Sequence, residues 1–170
     1  MNNKIKGFLI SEGTTVPETP VIVSEAEKGK HRTIISTTLQ DADVPNRNKR
    51  MYPLAVLKHG LESEYVRERL ATKTWFGEAG HPLNPTLQRQ LYMDQSNMSH
   101  RINEIFWEGN ILKGFVEAAA TERGNDFEGI ILSGSKVAFS LRAVGPITEK
   151  RGDITVVLDP LTIFTFDIQN

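Results

Sequence analysis

The chain contains no cysteine. That excludes a disulfide framework, a thiolate zinc site and a cysteine nucleophile. It also lacks any apolar run approaching the ~20 residues of a membrane-spanning helix. Charge of one sign is missing too: 20 Lys and Arg stand against 21 Asp and Glu, a formal net charge of -1. The composition therefore points neither to a nucleic-acid groove nor to an anionic membrane as the main partner. Met1-Asn2-Asn3-Lys4-Ile5-Lys6 has no long apolar stretch of the secretory type, so the expectation is a soluble intracellular protein. There is no internal repeat, no low-complexity tract and no Gly-rich phosphate loop.

What is present is enough chain for one domain with a real core: 170 residues. The expected layout is a single domain over 1–170, with short strands in an extension over 1–31 and a core over about 32–168. Arg32 to Leu39 is rich in β-branched residues and reads as a strand. Leu54 to about Leu70 carries Leu54, Leu57, Leu61 and Tyr65 at helical spacing and reads as one amphipathic helix opened by Pro53. Ser99 to Trp107 and Ile111 to Ala120 flank Glu108-Gly109-Asn110 and read as a hairpin. Asn125 is placed to cap a short helix that stops at Gly134. Lys136–Val144, Ile154–Leu158 and Leu161–Ile168 complete the strands. The pattern is mainly β, of the α+β type. It predicts a closed or curled antiparallel β-barrel flanked by helices.

The stretch with most chemical promise is Gly77-Glu78-Ala79-Gly80-His81-Pro82. Two glycines and a proline restrain the backbone around His81, and imidazole is the commonest general base near neutral pH. The same residues also suit a turn that happens to contain a histidine. His100 is a second candidate base. Ser140 lies in an apolar strand, and alternation puts it on the face opposite Phe139 and Leu141, together with Arg142. Asp167 is an acid within an apolar strand, which requires a partner: a nearby arginine, or an imidazole that it orients. Glu78, His81, Asp94 and His100 form a rival metal-ligand set for a metal-dependent hydrolase. The polar loop Asp41–Pro53 carries Arg47, Lys49 and Arg50 and reads either as solvated surface or as a binding loop.

Three segments taken in order resemble the prohead core proteases of tailed bacteriophages, serine endopeptidases related in fold to the herpesvirus assemblins. They are Asn46-Arg47-Asn48-Lys49-Arg50-Met51-Tyr52-Pro53, Gly77-Glu78-Ala79-Gly80-His81-Pro82 and Phe139-Ser140-Leu141-Arg142-Ala143-Val144-Gly145. The turn Trp107-Glu108-Gly109-Asn110 and the closing strand with Asp167 fit the same layout. The resemblance implies an assemblin-like fold, with Ser140 as nucleophile, His81 as base and Asp167 as third member. His100 is held in reserve, because assemblins use a second histidine there. It further implies that Arg142 supports the oxyanion and that Arg47, Lys49 and Arg50 meet an acidic substrate side chain. Implied substrates are scaffold, core and major capsid proteins, processed inside the immature head in the host cytoplasm by a homo-oligomer without a cofactor. Neither nucleic acid nor membrane is an implied partner. Leu141 and Ala143 depart from the family's small residue and glycine, and an alanine in a glycine-only conformation would strain the site. The alternative is a catalytically inactive structural protein of the prohead core with the same fold.

Overall fold

Alternating burial builds the largest sheet. The computed structural model describes residues 8–13, 16–27, 30–83, 86–145 and 147–169. In chain order its strands and helices begin with β1 (Phe8–Gly13), β2 (Val21–Ser24), β3 (Ile34–Asp41) and β4 (Arg50–Met51). Then come α1 (Leu54–Leu61), α2 (Glu64–Thr72), β5 (Phe76–Glu78), α3 (Leu87–Gln90), β6 (Met98–Glu108) and β7 (Ile111–Ala118). The chain closes with α4 (Glu122–Leu132), β8 (Phe139–Gly145), β9 (Thr148–Arg151), β10 (Ile154–Val157) and β11 (Thr162–Ile168). The extension over 1–31, expected to hold short strands, falls partly on residues outside those described.

A five-stranded sheet runs β2-β3-β7-β6-β5, and three-stranded sheets run β1-β8-β11 and β4-β10-β9. In β7, Leu112, Gly114, Val116 and Ala118 are buried at every second position, which is the period of a half-buried strand. Ile35, Leu39, Ile102, Leu112 and Val116 from the large sheet share one core with Ile10, Phe139, Leu141, Ile163 and Phe166 from β1, β8 and β11.

The molecule is mainly β with some helices, and among the described residues the ladders do not close into the expected barrel. Just past β5, Ala79 forms an isolated parallel bridge with Ile168 of β11. Elsewhere along that seam side chains replace the ladder. Trp75 Nε1 donates to the Phe164 carbonyl at 2.8 Å, and Thr165 Oγ1 donates to the Phe76 carbonyl at 2.6 Å. His100 Nε2 bonds the Phe166 carbonyl at 2.8 Å, and Asp167 Oδ1 accepts from the Glu78 N–H at 2.9 Å. Exposed strand edges need partners, and here Trp, Thr, His and Asp supply them.

Two helices differ from the expectation. The stripe from Leu54 to Leu70 is broken at Glu62 and Ser63, where the Ser63 hydroxyl accepts from the Val66 N–H at 3.2 Å and caps α2. The helix before Gly134 starts earlier than Asn125: Thr121 caps it, accepting from the Gly124 N–H at 2.9 Å. Thr121 also donates to the Met98 carbonyl, which ties α4 to β6.

Candidate active site

The side-chain seam between β5 and β11 is where the site is assembled. Asp167 is fully buried in β11. A carboxylate there is costly unless its lone pairs are filled. Oδ1 accepts from the Glu78 N–H at 2.9 Å and from Arg142 Nη2 at 3.0 Å. Oδ2 lies 2.8 Å from His81 Nδ1 and 3.0 Å from Arg142 Nε. Both sequence readings of Asp167 therefore hold together: it partners an arginine and an imidazole. A carboxylate only accepts, so His81 Nδ1 carries the donated proton and Nε2 is the free lone pair when the ring is neutral. Nε2 is buried and has no hydrogen-bond partner among the described residues.

His81 follows Gly80, whose φ is +89°, a conformation that glycine tolerates. The turn swings the chain out of β5 so that the imidazole returns over Asp167.

Ser140 is paired directly opposite Asp167 in the antiparallel β8–β11 ladder. Directly opposed residues project to the same face with Cβ atoms roughly 5 Å apart. The register thus brings Ser140 alongside the carboxylate that holds His81. Ser140 does not bond His81 Nε2, and it is only 1% exposed. Ala143 is ordinary: it pairs with Ile10 and Ile163 within β8 and is absent from the positive-φ residues. The strain expected of an alanine at this position does not arise.

Arg142, expected to support the oxyanion, shares the Ser140 face and meets two carboxylates and a carbonyl. Its Nη2 donates to Glu78 Oε2 at 3.1 Å and Asp167 Oδ1 at 3.0 Å, and its Nη1 donates to the Gln90 carbonyl at 2.9 Å. A buried guanidinium is retained by the carboxylates beside it, and its Nε lies 3.0 Å from Asp167 Oδ2 as an ion pair without a hydrogen bond. It anchors carboxylates.

His100, the reserve third member, lies in the same seam, but both its ring nitrogens bond groups other than His81. Its Nδ1 is 2.7 Å from Ser99 Oγ, its Nε2 bonds the Phe166 carbonyl, and its ring packs on Phe127 and Phe139. Full burial lowers its pKa to about 4, so it is neutral at physiological pH. The four residues of the metal set do not converge. Glu78 is occupied by arginines, His81 by Asp167 and His100 by Ser99 and Phe166, while Asp94 caps a 3-10 turn through Ser96. Arg47, Lys49 and Arg50 belong to the region of the β4–β10–β9 sheet, where Lys49 pairs with Asp153 at 3.1 Å.

Sequence reasoning missed Arg89 and read Glu78 and Gly77 in other roles. Glu78 and Arg89 form a bidentate pair at 2.7 and 3.3 Å next to Arg142. Glu78 gave a signal in standing three residues before His81, but only the fold shows what it meets. Gly77 is required for space: a Cβ there would lie 2.2 Å from His100 Nε2 and 2.4 Å from the Phe166 carbonyl. Beside the site runs a groove of about 440 Å³ whose lining includes Tyr65, Arg69, Phe76, Tyr92, Met98 and Phe164. The Phe164 ring stacks against the Arg142 guanidinium at 4.9 Å.

A buried carboxylate thus holds one imidazole nitrogen, and a serine lies opposite that carboxylate in the ladder. The chain belongs to the prohead core protein serine protease family, whose model matches residues 7–166. Over 109 residues, 64% of this chain, it is 30% identical to the prohead core protein protease of Enterobacteria phage T4, and the match spans 44% of that relative. The solved structure of the bacteriophage T4 capsid assembly protease shares the fold, with a TM-score of 0.73, 98% of each chain covered and 22% identity.

Proposed function

We propose that this chain is a serine endopeptidase of the phage prohead core, with Ser140 as nucleophile, His81 as base and Asp167 as the carboxylate that orients it. The observation that carries this reading is the 2.8 Å bond between His81 Nδ1 and Asp167 Oδ2, with Ser140 opposite Asp167 in the ladder. Nδ1–H donation fixes the tautomer in which Nε2 accepts a proton. Ser140 Oγ attacks the scissile carbonyl as Nε2 takes its proton. Nε2 then protonates the leaving amine, and water repeats the sequence to release the acyl group. Hydrogen bonds of this kind are commonly long before substrate binds and tighten in the complex. Ser140 is 1% exposed, so the segments around it part to admit a peptide. The adjoining groove of about 440 Å³ offers room for substrate side chains.

Family membership and the name of the T4 relative support scaffold, core and major capsid proteins as substrates, cut within the immature head inside the host cell. One observation favours the second reading, an inactive structural protein of the prohead core: the burial of Ser140. Ala143 no longer argues for it, since it sits unstrained in a regular strand.

Co-expression with the scaffold and capsid proteins of the same phage tests the proposal. Processing by the unmodified chain, abolished by Ser140→Ala and by His81→Ala, is the expected result. Unchanged processing in both variants overturns the triad, and an absence of processing throughout favours the structural reading.

A further inference from the structure

We infer that Glu78 is a positioning residue for the Asp167–His81 pair, and that Arg89 tethers it from the solvent side. The inference rests on the serine protease reading for its function, but its geometry stands apart from that reading.

Glu78 is fully buried, and a carboxylate in that setting requires several donors. Oε1 accepts from Arg89 Nη2 at 2.7 Å and Asn97 Nδ2 at 3.2 Å. Oε2 accepts from Arg142 Nη2 at 3.1 Å, Arg89 Nη1 at 3.3 Å and the Asp94 N–H at 3.4 Å. These donors leave no role for Glu78 as a metal ligand or proton carrier. They give it a different one.

Glu78 acts on Asp167 twice. Its own N–H donates to Oδ1 at 2.9 Å. Its carboxylate also holds Arg142 Nη2, which donates to the same Oδ1 at 3.0 Å. The guanidinium is planar and its donors diverge in a fixed fork, so holding one nitrogen orients the whole group. With Oδ1 occupied in this way, Oδ2 is directed to His81 Nδ1.

The charges explain Arg89. Asp167 and Glu78 bring two negative charges to Arg142, which supplies one positive charge. Arg89 supplies the second. Its guanidinium is the accessible end of the network: the Arg89 side chain is 24% exposed, against 0% for Glu78 and 1% for Arg142. It also donates to the Tyr92 carbonyl at 2.9 Å, which binds α3 to the same cluster.

The test compares the full chain with Arg89→Gln, Arg89→Lys and Glu78→Gln. Two readouts are taken: the low-field proton resonance of His81 Nδ1–H, and the rate at which a fluorophosphonate labels Ser140. Arg89→Gln is expected to fold, to move or broaden the Nδ1–H resonance and to slow labelling by roughly 10- to 100-fold, the range for losing an outer partner of a functional group. Arg89→Lys restores part of both, since it returns the charge without the fork. Glu78→Gln gives the larger loss; should it not fold, the Arg89 pair decides alone. An unchanged resonance in folded Arg89→Gln overturns the inference, as does a labelling loss that only tracks the unfolded fraction. If the unmodified chain is not labelled while its Nδ1–H resonance still responds to Arg89→Gln, the protease reading fails and the positioning role of Glu78 stands.

Discussion

Asp167 shows how much of the site could be read one residue at a time. A lone acid in an apolar strand announces that it has a partner, and the sequence left two open: an arginine or an imidazole. Both are present, because the carboxylate has two oxygens and Arg142 reaches each while leaving room for His81. Replacing it with asparagine is expected to preserve the fold and lower kcat by about 10⁴-fold, since the amide no longer fixes the imidazole tautomer; steady-state kinetics on a capsid-derived peptide checks this. His100 was legible as a histidine but not as a structural one, because nothing in Ser99-His100-Arg101 reveals that the ring turns inward to the Phe166 carbonyl. Its burial has a thermodynamic consequence. The folded pKa is about 4, against an ordinary value of 6.5. Above pH 6.5 the ring is neutral in both states and stability is complete. As pH falls below 6.5 the unfolded chain binds a proton that the folded one refuses. Stability then declines until about pH 4, by about 3 kcal/mol in all. Urea unfolding at a series of pH values measures this slope, and His100→Gln is expected to flatten it.

At the scale of elements, periodicity located the strands well and the helix boundaries poorly. β6, β7 and β11 lie close to the expected strands, and β7 shows why, since a half-buried strand writes its burial into every second residue. The expected helix through Leu70 splits in two, since a serine capable of capping interrupts an apolar stripe that runs on across the break. The cap of α4 is Thr121, four residues before the Asn125 that the sequence offered. Thr121→Ala is expected to cost about 1 kcal/mol from the lost cap, measured as a shift in denaturant midpoint. Gly77 carries the stronger prediction. It was read for conformational freedom, yet it lies in β5 with no positive φ, and its role is to let the His100 ring pass. Gly77→Ala is expected to destabilise by about 3 kcal/mol, visible in thermal unfolding, and to weaken activity through displacement of the neighbouring Glu78 and Asp167.

For the whole molecule, the β-rich class was legible and the closure was not. A pattern of strands reports how many edges exist but not whether backbone or side chains cover them. Here the β5–β11 edge is sewn by Trp75, Thr165, His100 and Asp167, so the sheets stay open as ladders. That seam joins structure to function, because the side chain that completes it at one end, Asp167, is the one that holds His81. Family membership accounts for the order of the motifs, and the ladder register accounts for why Ser140, 59 positions from His81, stands opposite the carboxylate that holds it. The most direct measurement is covalent labelling of the purified full chain by a fluorophosphonate, mapped by peptide mass spectrometry. The account predicts a single adduct on Ser140 that is lost in His81→Ala. An adduct on another serine, or labelling of Ser140 that is indifferent to His81, would contradict it.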